Sequence, residues 1–181
     1  RKMPGIRKVF LNSGMRLDLA LRQKELTGEI IRNHVSGHLK VAPEHLHPRV
    51  LNLMRKGQPG ELEAFMKLFE QCCREAGKEQ YLIPLFISNF PGCTEQEMKV
   101  VDNFLERHHW SPQQVQDYIP LPMTMGAAMY YSGRNPYTGE ELEVHRGLRE
   151  RRPQIQMLKK KRPSQYRKDP TRDRKPRDKH R

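Results

Sequence analysis

Eight histidines and three cysteines are the side chains in this 181-residue chain most able to hold a metal or attack a substrate. His45 and His47 form an i,i+2 pair in a loop-like stretch, and His108 and His109 close a helix-like one; neither pair has a third ligand nearby in sequence. A metal site needs three or four converging donors, so these are expected to be surface or supporting histidines. Cys72, Cys73 and Cys93 are odd in number, with two adjacent, and lack the spacing of a zinc, redox or cluster motif, so no disulfide framework is expected. A Walker loop, a hydrolase elbow, HExxH and GxGxxG are all absent from the sequence. Any chemistry must therefore come from residues that the fold gathers. In parallel α/β architecture these lie in the loops after the strands, here residues 13–16, 43–47, 88–94 and 121–126.

The elements that would position those loops alternate in kind. VFLN at 9–12 is a short apolar run of strand formers. Leu21, Leu26, Ile30, Ile31 and Val35 recur at helical spacing over 19–34, ahead of Gly37. HLKVAP at 38–43 predicts a second strand. A short helix carries Val50, Leu51 and Met54, and a longer one over 61–76 presents Leu62, Phe65, Met66, Phe69, Cys72 and Cys73 to a core before Gly77. YLIPLFIS at 81–88 is apolar on both faces, as a covered parallel strand would be. Thr94 and Glu97 make a capping box for the next helix; a fourth strand is expected near 115–119 and a small-residue helix, MGAAMYY, after Pro122. This order predicts right-handed parallel crossovers, about four of them, where a closed barrel needs about eight.

Charge divides the chain unevenly. Residues 145–181 hold 16 Lys and Arg against 4 Asp and Glu, whereas residues 1–144 are nearly neutral. The expected organisation is a folded portion over 1–140 and a basic, largely disordered tail over 141–181, with Pro153, Pro163, Pro170 and Pro176 opposing order beyond residue 150. Such a tail either solubilises the domain or contacts RNA, DNA or an acidic partner through its charge. Tyr166 is its one aromatic, so base stacking is not expected of it. No run approaches the length of a membrane span and the start lacks a signal-peptide core, which predicts a cytoplasmic protein with no membrane partner.

GHLKVAPEHLHPRVLNLMRKG and YLIPLFISNFPGCTEQEM resemble, in order and separation, two motifs of the radical S-adenosylmethionine superfamily, the second with Phe90-Pro91-Gly92 and Thr94-Glu95 at the matched positions. With NSGMRLDLAL and PLPMTMGAAMYYSG they are similar more narrowly to YgiQ-type radical SAM proteins over residues 6–140. The resemblance implies the C-terminal half of a (βα)6 partial TIM-like barrel. It also implies a [4Fe-4S] cluster on a C-x3-C-x2-C loop, whose open iron site binds S-adenosylmethionine and cleaves it to a 5′-deoxyadenosyl radical. That cysteine triplet is missing from this sequence, so the chain is expected to be a fragment, beginning at Arg1, that needs the N-terminal part of the same polypeptide. By matched position, Ser13, Arg16, Lys40 and Glu44 would bond the ribose or methionyl groups and Met123 would face the adenine; the alternative is a structural ion-pair network of Arg16, Lys40 and Glu44. Cys93 stands where the FPGET-like turn usually has an acid. Asn89 is either an orienting residue of that loop or an ordinary turn residue.

Overall fold

The computed structural model describes residues 4–112 and 114–162. The chain is mixed α/β: helices α1 (Leu17–Arg22) and α2 (Lys24–Asn33), strand β1 (His38–Glu44), helices α3 (Pro48–Leu53) and α4 (Glu61–Ala76), strand β2 (Tyr81–Ser88), helix α5 (Glu95–Arg107), strand β3 (Val115–Asp117), and helices α6 (Met125–Ser132) and α7 (Leu148–Lys159). The sheet runs in the order β1-β2-β3 with every pair parallel. Among the described residues no helix is long and apolar enough to cross a membrane.

Local chemistry explains most of the boundaries. Gly77 closes α4 in the left-handed conformation at φ 60°, where a side chain would be strained. Thr94 opens α5: the Glu97 N–H donates to the Thr94 hydroxyl and the Thr94 N–H donates back to the Glu97 carboxylate. On β1, Leu39, Val41 and Pro43 are buried, while Lys40, Ala42 and Glu44 are only half-buried. β2 repeats the pattern, with Pro84, Phe86 and Ser88 buried and Ile83, Leu85 and Ile87 half-buried. The buried set meets Phe65, Phe69, Cys72, Met98, Val101 and Phe104 of α4 and α5 in one core, which is where the amphipathic spacing places them.

Expectations in two regions are corrected. The run at 9–12 is not a strand: Val9 and Phe10 are exposed, the Leu11 N–H donates to the His34 carbonyl at the end of α2, and among the described residues an isolated bridge of Met15 with Val41 joins the turn that follows to β1. Apolar composition alone favours a strand, but the Leu11 backbone donor is satisfied by a helix end instead. The helix expected over 19–34 is also broken at Gln23 into α1 and α2. Second, residues 148–159 form a helix where prolines and charge predicted disorder. α7 carries Pro153 in its interior but buries Gln154 and Leu158, so tertiary packing outweighs the backbone bond that proline removes. The disorder expected for 163–181 lies outside the described residues.

Candidate functional site at the strand ends

Three residues other than glycine hold the left-handed conformation where the strands hand over to loops: Glu44 (φ 61°) ends β1, Asn89 (φ 58°) follows β2, and Met123 (φ 63°) lies in the loop between β3 and α6. Backbone strain of this kind costs about 1–3 kcal/mol per residue and persists only where the surroundings enforce it. At Glu44 the cause is an extra residue in β1: Val41 pairs with Pro84 and Glu44 with Phe86, so the register slips by one at the strand's end.

Asn89 shows how such a conformation is held. It is buried; its side-chain amide donates to Asp117 Oδ1 (2.7 Å) and to the Arg151 carbonyl (3.0 Å), and its own N–H donates to Gln154 Oε1 (2.8 Å). With the amide nitrogen so committed, Asn89 Oδ1 faces His145 Nδ1 (3.1 Å), and the other ring nitrogen of His145 faces Glu143 Oε1 (2.6 Å). Asp117 also accepts from the Ser88 hydroxyl (2.8 Å) and pairs with Arg151 (2.7 Å). The ends of β2 and β3 and one face of α7 are thus locked into a single polar hub.

The hub continues beneath the NFPGC turn. Gln154, fully buried, donates to the Cys93 carbonyl (2.7 Å), and the Cys93 thiol donates to Gln154 Oε1 (3.5 Å). The His47 N–H donates to His45 Nδ1 (3.0 Å), which places the hydrogen of that buried ring on Nε2, 3.4 Å from Cys93 Sγ. His45 therefore donates to the sulfur rather than drawing a proton from it. Burial, reinforced by His47 and opposed by Glu97, lowers the His45 pKa to about 4, and burial pushes the Cys93 thiol far above its ordinary value. A thiol so protonated and so enclosed is neither a nucleophile nor a metal ligand.

A third part ties the turn to α3. Arg49 donates to the Gly92 carbonyl (2.7 Å), to Glu97 Oε1 (2.7 Å) and to Glu140 (3.1 Å). Burial disfavours a charged Glu97, yet the Thr94 N–H, Arg49 and the Thr94 hydroxyl together hold its pKa below the ordinary range.

The residues singled out by matched position divide. Arg16 caps α1, pairs with Asp18 (2.8 Å) and donates to the Arg55 carbonyl (3.0 Å), while Glu44 pairs with Lys56 (3.0 Å). Arg16, Asp18 and Lys56 line a cavity of ≈ 20 Å³, room for about one water. The expected network of Arg16, Lys40 and Glu44 with one another does not form: Arg16 and Glu44 are engaged separately by Asp18 and Lys56, and Lys40 forms no ion pair among the described residues. Lys40 is half-buried on β1, Ser13 is exposed just before the Met15 bridge, and Met123 is exposed two strands away from β1. Sequence reasoning missed Asp117, His145, Arg151 and Gln154. Arg151 and Gln154, three apart, share a helix face, a signal hidden because Pro153 spoke against a helix.

A parallel α/β unit with an enforced polar hub at its strand ends is the kind of scaffold that holds a ligand beyond the sheet. Residues 113–169, which include β3, α6 and α7, match the domain of unknown function DUF3362. The chain is 41% identical over 166 residues to a UPF0313 protein of Methanocella arvoryzae, 39% over 168 residues to one of Clostridium perfringens and 43% over 166 residues to one of Bacteroides thetaiotaomicron. These alignments cover 92%, 92% and 86% of the chain but 28%, 25% and 27% of the relatives. The chain belongs to this family, the UPF0313 or YgiQ-type proteins, of which DUF3362 is the C-terminal domain.

Proposed function

We propose that the chain is the C-terminal part of the radical SAM core of a YgiQ-type protein, contributing one wall of a partial (βα) barrel that holds S-adenosylmethionine and part of the substrate. The observation that supports this is the half-buried sheet face formed by Lys40, Ala42, Ile83 and Leu85. A strand that is apolar on both sides yet covered by core on only one is shaped to line the interior of a larger barrel. Polar groups at its carboxyl edge and the strained residues Glu44, Asn89 and Met123 point the same way.

The chain's own cysteines do not suit a [4Fe-4S] cluster. Cys72 and Cys73 belong to α4, and the Cys93 thiol is buried and bonded to His45 and Gln154. On this reading the cluster's thiolates come from elsewhere in the longer protein. S-adenosylmethionine fits better: Lys40 is a cation on the half-buried face without an ion-pair partner among the described residues, suited to a carboxylate. Ser13, two residues before the Met15 N–H that donates to the Lys40 carbonyl, adds a hydroxyl, and Met123 an apolar surface for a base. Arg16 and Glu44 are assigned a supporting role, because Asp18 and Lys56 already engage them.

The test is equilibrium dialysis of S-adenosylmethionine against the product of the whole reading frame that contains this chain, with its cluster reconstituted. Lys40→Ala is expected to weaken binding about tenfold, the loss of one charge-assisted bond of about 1.5 kcal/mol. Unchanged affinity in that variant, in a protein that binds the cofactor, would remove Lys40 from the site; no binding at all would remove the proposal.

A further inference from the structure

We infer that the outward face of α7 binds the phosphate backbone of nucleic acid. The helix divides its side chains cleanly. Arg151, Gln154 and Leu158 turn inward, Arg151 to Asp117, Gln154 to the NFPGC turn and Leu158 into the core. Arg149, Arg152, Gln156 and Lys159 are all exposed, and their spacing of i, i+3, i+7 and i+10 makes one continuous stripe.

The stripe's cations are uncommitted. Arg149, Arg152 and Lys159 form no ion pair among the described residues, in contrast to Arg151 with Asp117, Lys160 with Glu106 and Arg162 with Asp102. Glu150, the one acid of the helix, accepts from the Arg146 and Gly147 N–H groups at its start and lies about 100° around the helix from Arg149, off the stripe. From Arg149 to Lys159 the stripe is about 15 Å long at 1.5 Å per residue. That span faces about four phosphates of one strand at 3.4 Å each, close to the number of cations offered.

The kind of partner follows from what the face lacks. A helix that lies on a membrane buries an exposed apolar side, but here Leu158 is in the core, Ile155 and Met157 are half-buried, and Leu148 at the helix start is a single exposed apolar side chain. A protein interface centres on a cluster of apolar and aromatic groups, and this face presents only Leu148 at the start of the stripe. Dense, unpaired positive charge alone suits a polyphosphate backbone read without regard to sequence. The chain continues the charge beyond the helix: Lys161 is exposed, and residues 163–181 contain 8 Lys and Arg against 3 Asp.

Fluorescence anisotropy of the full chain with a labelled 20-base-pair DNA duplex and with its single strand, from 50 to 200 mM salt, tests this. The triple variant Arg149→Gln, Arg152→Gln, Lys159→Gln should lower the slope of log affinity against log salt by about 2 to 3, the counterions released by three contacts. For the duplex that removes about 40-fold of salt sensitivity over the range. Its circular dichroism melt should match wild type, since only exposed groups change, and Arg149→Lys with Arg152→Lys should keep the wild-type slope. Equal affinity and slope in the triple variant would overturn the inference, as would failure of the wild-type chain to bind either probe. Stronger binding to phosphatidylserine vesicles than to nucleic acid at 150 mM salt would also overturn it.

Discussion

Gln154→Leu isolates the contact on which the hub depends. Leucine fills nearly the same volume but supplies no polar atom, so it leaves the buried Asn89 N–H without its acceptor and the Cys93 carbonyl without its donor. Each orphaned buried group costs about 1–3 kcal/mol, and the added apolar side chain offsets about 1. The expected net loss is about 3 kcal/mol. For a unit of this size 1 kcal/mol moves the melting temperature by about 2–4 °C, so the melt should fall by about 6–12 °C. Urea unfolding followed by circular dichroism measures both quantities. Gln156→Leu, on the exposed face of the same helix, should change stability by less than about 0.5 kcal/mol. A loss under 1 kcal/mol for Gln154→Leu would mean that α7 does not hold the turn.

Burial holds His45 neutral, with a pKa of about 4 against 6.5 in an ordinary setting. The unfolded chain therefore takes up this proton first: stability is fully present above pH 6.5 and declines as pH falls toward 4, by about 3 kcal/mol in all. Urea midpoints at pH 7, 5.5 and 4.5 should fall in step, and His45→Asn should flatten the dependence. Cys93, buried and protonated, should resist iodoacetamide at pH 8 in the native chain while the half-buried Cys73 reacts, as peptide mass spectrometry would report; fast alkylation of Cys93 would contradict the assigned hydrogen-bond pattern. Gly126→Ala would put a methyl group 2.6 Å from the Tyr118 hydroxyl and should cost about 1–3 kcal/mol as overpacking. Tyr118→Phe should rescue it in a double-mutant cycle, because that hydroxyl is buried without a hydrogen-bond partner among the described residues.

Much of the scaffold was legible because its determinants are local. The Thr94 box, the Gly77 terminus and the apolar stripe of α4 each act within a few residues, and the elements appear where that chemistry places them. The first strand failed because strand formation depends on a partner, and the backbone of 9–12 finds none. α7 was missed for the opposite reason: its local signals, Pro153 and dense charge, are poor, and its stability comes from Asp117, Asn89 and Cys93, which lie 34 to 65 residues away in sequence. The hub was illegible for the same cause. Asn89 showed only as a loop residue, since its partners arrive from β3 and from a helix that the sequence argued against. The pairs that Arg16 and Glu44 form, with Asp18 and Lys56, were not legible, because Lys56 reaches Glu44 only through the turn after α3.

The most direct measurement is of 5′-deoxyadenosine, by chromatography, after anaerobic reduction of the cluster-loaded, full-length protein with S-adenosylmethionine present. Formation of the nucleoside above a no-enzyme control, reduced several-fold by Lys40→Ala, is the expected result. A protein that carries a cluster and binds the cofactor yet releases no 5′-deoxyadenosine would contradict the proposal that this chain forms part of a radical-generating barrel.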